Sequence, residues 1–282
     1  MTKTILITGS STGIGKTIAA YFQAMGWNVA ATMRDPGKET ELTELENIKC
    51  IRLDVTDEAS IQSAIEETIT TFGGIDVIVN NAGYGTLGPF EAASKEQIQR
   101  QFDTNVFGLM NVTRAILPYF RSKRSGTIIN IASVGGRMTW PLYTLYHGTK
   151  WAVEGFSESL QYELRPFNIR IKIIEPGSIK TDFWGRSQEV VFKRGLDVYE
   201  EYVNIVVPNL QKSGANAPEA DVVASAVYKA ATDNSWRLRY SIAGAKWTLF
   251  LRRIIPTRWF NAAVRRAVEK KEDRLKKYAG ES

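Results

Sequence analysis

Tyr146 and Lys150 stand four residues apart, and their types and spacing suggest chemistry more directly than any other pair in the sequence. On a helix that spacing puts both side chains on one face, one above the other. A phenol titrates near pH ~10, and an ammonium about 4 Å away contributes roughly 4 kcal/mol at intermediate dielectric, enough to lower that value by about three units. A tyrosine so placed exchanges protons near neutrality, as a general acid/base must. Ser133 ends the apolar run Thr127 to Ala132, where its hydroxyl can meet a substrate oxygen. Taken alone, a Tyr/Lys pair is most often surface decoration, so its weight depends on what surrounds it. His147 is rotated about 100° off the Tyr146 face and is read as non-catalytic. No Gly-x-Ser-x-Gly elbow surrounds Ser133, which sets a serine hydrolase aside.

A second chemical signal is the run Thr8-Gly9-Ser10-Ser11-Thr12-Gly13-Ile14-Gly15. It follows an apolar strand and opens a helix, so backbone N–H groups and the helix dipole converge on a site suited to a pyrophosphate. Side chains at Gly9 or Gly15 would block the tight turn or the approach of backbone to phosphate. Gly15-Lys16-Thr17 imitates the end of a P-loop, but the first glycine of that motif falls at Ser10, so an NTPase is set aside. After the second strand stand Met33 and Arg34, with no carboxylate at the strand end. That favours NADP(H), whose 2′-phosphate needs a cation, with NAD(H) as the alternative. Asp35 is the counterargument, since it can pair with Arg34 or take the ribose itself.

The elements that must position these groups are legible as alternation. Apolar runs at Ile5 to Thr8, Asn28 to Met33, Cys50 to Val55, Val77 to Asn80, Thr127 to Ala132 and Ile169 to Ile174 read as strands, with a seventh near Leu238 to Ile242. Between them lie segments of helical spacing, such as Ile61, Ile65 and Ile69, or Phe107, Val112 and Ile116 before Pro118. Near-continuous apolar strands are buried on both faces, so the expected fold is α/β: a single Rossmann-type, doubly wound parallel sheet of about seven strands with helices on both faces and a C-terminal helical extension. Residues 1–244 are expected to form one dinucleotide-binding and catalytic domain, with a lid at about 185–217 leaving a strand's carboxyl end, and 245–282 a basic amphipathic extension.

These motifs together resemble the short-chain dehydrogenase/reductase family, in its compact single-domain branch, from Lys3 to about Gly244. Thr8 to Gly15, Asp54-Val55, Asn80 to Gly83, Asn105, Ser133, Tyr146 with Lys150, and Pro176-Gly177 with Thr181 fall in the family's order. The resemblance implies an NADP-dependent oxidoreductase that interconverts a carbonyl and its alcohol by hydride transfer. In it Tyr146 passes the proton, Ser133 orients the substrate oxygen, Lys150 holds the nicotinamide ribose and lowers the Tyr146 pKa, and Asn105 positions a water linking Lys150 to solvent. Gly9, Gly13, Ile14 and Gly15 would cradle the pyrophosphate, and Ser11 would help Arg34 with a 2′-phosphate. Asp54 and Val55 would meet the adenine, Asn81, Ala82 and Gly83 the adenosine ribose side, and Pro176, Gly177, Ile179 and Thr181 the nicotinamide end.

Ala82-Gly83-Tyr84-Gly85, Leu87-Gly88-Pro89 and Ser133-Val134-Gly135-Gly136 look most similar to the 17-beta-hydroxysteroid and retinol dehydrogenase subgroup, which implies an apolar or bulky substrate. Trp140, Tyr143, Phe183, Trp184 and Tyr199 are candidates for its pocket. Homodimers or homotetramers through the helices bearing Asn111 and Phe156 are also implied. The alternative is a non-catalytic NAD(P)-binding sensor or scaffold of the same fold. Loss of one catalytic position is its usual signature, and none is lost here.

Composition narrows the partners. Cys50 and His147 are the only residues of their types, so neither an internal disulfide nor a His/Cys metal site is expected, and a cytoplasmic setting fits. Met1 runs almost at once into the first strand, and no window approaches the roughly 18 apolar residues of a membrane span. The formal charge of +6 resides at the C-terminus, because residues 237–282 hold 13 Lys and Arg against 4 Asp and Glu. There Trp247, Phe250, Leu251 and Ile254 follow helical spacing up to Pro256, and Phe260, Ala263, Val264, Ala267 and Val268 form a second stripe. Docking on the body or a subunit is the first reading. A peripheral membrane contact comes second and is not favoured, because Glu269, Glu272 and Asp273 dilute the charge, and nucleic acid is not expected.

Overall fold

Val77–Asn80 reads Val-Ile-Val-Asn with every residue buried, a pattern that requires cover on both faces. In the computed structural model, which describes residues 2–180, 188–193, 195–215 and 217–270, that cover is supplied by helices on either side of a parallel sheet. The sheet comprises β1 (Thr4–Thr8), β2 (Asn28–Met33), β3 (Ile48–Arg52), β4 (Val77–Asn80), β6 (Gly126–Ile131), β7 (Ile169–Pro176) and β9 (Arg239–Ile242). Its order is β3-β2-β1-β4-β6-β7-β9, with all pairs parallel. The order reverses between β1 and β4, and the carboxyl ends on either side of that point open a crevice where a dinucleotide fits.

One face carries α1 (Gly13–Ala24) and α7 (Asp221–Thr232), whose Ile18, Phe22, Val223 and Val227 meet Ile5, Ile7, Val29 and Val79. The other carries α2 (Glu58–Phe72), α4 (Leu109–Lys123) and α5 (Thr144–Leu164), where Ile61, Ile65, Val112, Ile116 and Leu160 pack on Leu6, Ile78 and Ile128. The shorter α3 (Lys95–Phe102) starts with a reciprocal cap between Ser94 and Gln97, then passes into α4 through a π-helical turn at Asp103–Gly108.

The expected strands stand at β2 and β4 to the residue, whereas β3 begins and ends earlier than its apolar run. Leu53 and Val55 are buried, but they turn inward from a loop stabilised by Thr56 hydrogen bonds to Asp54. A short second sheet joins β5 (Gly85–Leu87) to β8 (Gln188–Val190), too brief to announce itself by periodicity. α4 runs on through Pro118 to Lys123, held by the fully buried Phe120. Of the expected lid, β8 and α6 (Glu200–Ala215) lie within the described residues. Beyond β9 come α8 (Ala245–Ile254) and α9 (Thr257–Val268); α9 sets Val268 against Val206 and Leu210 of α6.

Candidate active site

At the crevice the glycine loop is shaped by contacts that leave no room for side chains. Gly9 has φ +70°, a left-handed value suited to glycine, and a Cβ there would lie 2.9 Å from Ala82 Cα. A Cβ at Gly15 would be driven into the Gly9 carbonyl oxygen and sit 2.5 Å from Asn81 Nδ2. Thr8 and Asn81 tie the loop to the end of β4: Thr8 Oγ1 accepts from the N–H groups of Asn81 (3.0 Å) and Ala82 (3.1 Å), and Asn81 Nδ2 donates to the carbonyls of Thr8 (2.9 Å) and Gly9 (3.0 Å). Asn81 is therefore a strut for the loop. Ser10, standing where a P-loop needs glycine, donates to Ile7 O. Lys16 bonds Glu39 and Glu41 at 3.0 Å each.

The N-terminus of α1 has no side-chain cap and no acidic residue in its first turn. In α2, by contrast, the Asp57 carboxylate accepts from Ala59 and Ser60. Free N–H groups and an uncompensated dipole facing a glycine cradle fit a pyrophosphate.

Beyond β2, Arg34 is exposed and lines the cleft with Lys38 and Asp54. Asp35 pairs with Lys38 at 2.8 Å, not with Arg34, because a short 3₁₀ turn at Pro36–Lys38 brings i and i+3 together. Lys38 is a cation that sequence reading missed, although a lysine four residues after Arg34 was there to be noticed. Burial raises the Asp54 pKa, but the Thr56 hydrogen bonds, with Arg34 and Arg52 nearby, outweigh it and hold the carboxyl below its ordinary value.

Ser133 stands just beyond β6, and α5 brings Tyr146 and Lys150 up beside it. The Ser133 hydroxyl hydrogen-bonds Tyr146 and also accepts from Gly135 N at 3.0 Å. Lys150 Nζ donates to Ile131 O at 2.7 Å and lies 5.8 Å from the centre of the Tyr146 ring. Burial pushes the Tyr146 phenol up to about 12, with the Ser133 hydrogen bond opposing, and pushes Lys150 down to about 8, with the Glu154 charge opposing. The expected lowering of Tyr146 by Lys150 is reversed here, because desolvation of the phenol outweighs an ammonium engaged by a carbonyl.

Asn105 is buried in the π-helical turn. Its Nδ2 donates to Tyr84 O (2.8 Å) and Thr149 Oγ1 (3.1 Å), and its Oδ1 accepts from Tyr84 N (3.0 Å). A Cβ at Gly83 would lie 3.0 Å from that Oδ1. Thr149 in turn donates to Tyr146 O at 2.7 Å, a link that the motif pattern did not single out. On the far side Pro176, the last residue of β7, and Gly177 and Ile179 beyond it line the cleft, with Gly177 donating to Ile242 O. Thr181, Phe183 and Trp184 lie outside the described residues.

His147 borders the cleft, but both of its ring nitrogens are engaged by backbone groups. Its Nε2 accepts from Trp140 N at 2.9 Å and its Nδ1 donates to Gly135 O at 2.9 Å, a tautomer set by those partners. Burial holds its pKa down at about 4, so the ring is neutral while it clips the loop before α5. Stability from this group is complete above the unfolded value near pH ~6.5 and is lost as pH falls toward 4, amounting to about 3 kcal/mol across that window. Urea titrations should show that much acid-side slope, reduced in His147→Gln; an unchanged slope in the variant would assign the loss elsewhere.

The cleft encloses about 1490 Å³ and continues from the glycine loop past Tyr146 to Trp140, Tyr143, Gln188, Leu210 and Val268. Gln188 donates to Tyr143 Oη at 2.6 Å, and Gly88 N donates to the carbonyl of Leu142, a residue held at φ +64°. Tyr199, a sequence candidate for this wall, instead hydrogen-bonds Glu91 at 3.1 Å. Val268 was not foreseen here, since the extension was set apart from the catalytic body.

A family model for short chain dehydrogenases matches residues 3–190. The chain is 38% identical over 265 residues to the uncharacterized oxidoreductase YusZ of Bacillus subtilis, covering 90% of this chain and 94% of that one. It is 38% identical over 198 residues to retinol dehydrogenase 8 of Bos taurus, covering 67% and 63%. Among solved structures, a short-chain dehydrogenase from Streptomyces avermitilis superposes with TM-score 0.80 at 31% identity, covering 93% and 98%. The structure titled ElxO with NADP bound superposes with TM-score 0.73 at 28% identity, covering 88% and 100%.

Proposed function

This chain belongs to the short-chain dehydrogenase family and is an NAD(P)-dependent oxidoreductase acting between carbonyl and alcohol; from that premise we propose that it uses NADP(H) on an apolar or bulky ketone or aldehyde, with Tyr146 as general acid/base. The observation that carries the reading is one continuous cleft holding the glycine cradle, the Ser133–Tyr146 hydrogen bond and Lys150.

When bound, the nicotinamide nucleotide supplies or accepts the hydride. Gly9, Gly13, Ile14 and Gly15, with the N-terminus of α1, would hold the pyrophosphate by their backbone. Asp54 and Val55 would meet the adenine, Asn81 to Gly83 the adjoining ribose, and Pro176, Gly177 and Ile179 the nicotinamide end, with Thr181, outside the described residues, assigned there by family resemblance alone. Lys150 holds the nicotinamide ribose. Ser133 donates to the substrate oxygen and Tyr146 gives it the proton in reduction or removes it in oxidation. Asn105 positions a water toward Lys150. With the phenol up near 12, Tyr146 carries its proton at neutral pH, the state required of the acid in carbonyl reduction.

Arg34 and Lys38 at the ribose end support NADP(H), as does the NADP-bound relative. Arg34→Ala is expected to weaken NADPH binding by roughly 10- to 100-fold, the scale of one charge-assisted bond to a phosphate, and NADH binding by less than about threefold. Titration of nicotinamide fluorescence measures both, and equal losses would contradict the assignment. Trp140, Tyr143, Leu210 and Val268 support an apolar substrate, as does the similarity to a retinol dehydrogenase.

Residues 1–244 serve as the catalytic body, and 245–282 as an extension whose α9 completes the substrate wall. Exposed Phe107, Trp151 and Tyr162 on and beside α4 and α5 support homo-oligomers through those helices. A panel of apolar ketones and aldehydes monitored by NADPH absorbance tests the whole reading. Oxidation of NADPH with at least one of them is expected, and none across the panel would overturn it.

A further inference from the structure

The stripe Trp247, Phe250, Leu251 and Ile254 has the i, i+3, i+4, i+7 spacing of a face that ordinarily packs inward. In α8 it faces outward. The helix is anchored through Ala245 and Leu249, which pack with Val134, Met138 and Phe260, while Trp247 is 71% exposed, Phe250 51%, Leu251 41% and Ile254 58%. Trp247 and Phe250 lean on each other with ring centroids 5.8 Å apart, and Trp259 in the first turn of α9 is 61% exposed. Four of these five side chains are more than half bare, and the run occupies only thirteen residues of sequence.

Charge identifies the occupant. Residues 245–268 carry Lys246, Arg252, Arg253, Arg258, Arg265 and Arg266 and no Asp or Glu, whereas residues 1–236 are net acidic. The acids that seemed to dilute this charge begin at Glu269, after α9 has ended, where Glu269 pairs with Arg265 at 3.5 Å. We propose that the outer face of α8 and the first turn of α9 dock the protein on an anionic phospholipid bilayer. Tryptophan, phenylalanine and aliphatic side chains enter the headgroup–acyl boundary, and the lysine and arginines meet lipid phosphates. A symmetric contact with a second copy brings like charges together, the exposed Lys246, Arg253 and Arg258 among them, and Leu251 and Ile254 have no partner on a nucleic acid. No helix of the described residues is long and apolar enough to cross the bilayer, so the contact is peripheral. The proposal does not depend on the assignment of the cleft.

Flotation of the full chain with vesicles of phosphatidylcholine, with and without phosphatidylglycerol, tests it. The protein is expected to float with the mixed vesicles, about tenfold less with phosphatidylcholine alone, and about tenfold less with mixed vesicles once Trp247→Ser and Ile254→Ser are combined. Both positions are solvent-exposed, and unchanged NADPH affinity of the double variant verifies that it is folded. Absence of flotation, or equal flotation of wild type and double variant, overturns the proposal. So does a wild type that fails to float while the double variant shifts oligomer size in sedimentation, since the face is then a subunit interface.

Discussion

Tyr146→Phe is expected to lower kcat for carbonyl reduction by about 10³-fold or more while changing NADPH affinity by less than about threefold. The substitution removes one oxygen and little else. The ring is held by Tyr143 and His147, with centroids 5.9 and 5.8 Å away, and the α5 backbone at this point is held through Thr149. What disappears is the proton donor and its hydrogen bond with Ser133. Ser133→Ala, which leaves the donor and removes one orienting hydrogen bond, should cost less, about 10²-fold. Steady-state kinetics with any active carbonyl, paired with a fluorescence titration of NADPH, distinguishes these outcomes. A Tyr146→Phe enzyme with undiminished turnover would remove Tyr146 from the mechanism.

The second large effect belongs to the other end of the cleft. Gly15→Ala places a methyl group against the Gly9 carbonyl oxygen, with the Gly9 carbonyl carbon 2.9 Å away. Those atoms are backbone, and the Gly9 carbonyl is itself tethered by Asn81 Nδ2 at 3.0 Å. The loop must open, and the N–H groups that face the pyrophosphate turn with it. NADPH affinity should fall by at least about 100-fold, and the overpacking should cost about 1–3 kcal/mol, a fall in Tm of several degrees. Gly155→Ala supplies the comparison: that α5 glycine has no heavy atom within 4 Å of an added Cβ, so the variant should bind NADPH normally and melt no lower. Equal behaviour of the two variants would mean that the loop is not the rigid cradle described.

These expectations rest partly on what one-dimensional reading supplied. Asn28–Met33 and Val77–Asn80 were legible to the residue because buried parallel strands are short, predominantly apolar and bounded by polar residues. The glycine loop was legible for a similar reason, since its glycines answer local backbone demands. The Tyr146–Lys150 pair was legible as spacing, and Ser133 as a strand end. Other features were not. Asp35 turned to Lys38 because of a 3₁₀ turn, Tyr199 turned to Glu91, 108 residues earlier in the chain, and Val268 reached the cleft from an extension that looked separate.

The same division explains why residue type was legible in two places where its surroundings were not. The apolar stripe of α8 was visible, yet spacing alone shows that a face exists and not which way it points. The direction was decided by Ala245 and Leu249 finding Val134, Met138 and Phe260. Tyr146 and Lys150 were likewise identified, but the direction of their pKa shifts depended on how completely the folded chain excludes water around them. Sequence alone determined the order of the elements, the glycine cradle and the roster of proton-carrying groups, because periodicity, turn chemistry and residue type are properties of neighbours along the chain. Only the tertiary structure decided burial, ion-pair partners and exposed faces, because each is a sum over atoms that the chain brings together from far apart.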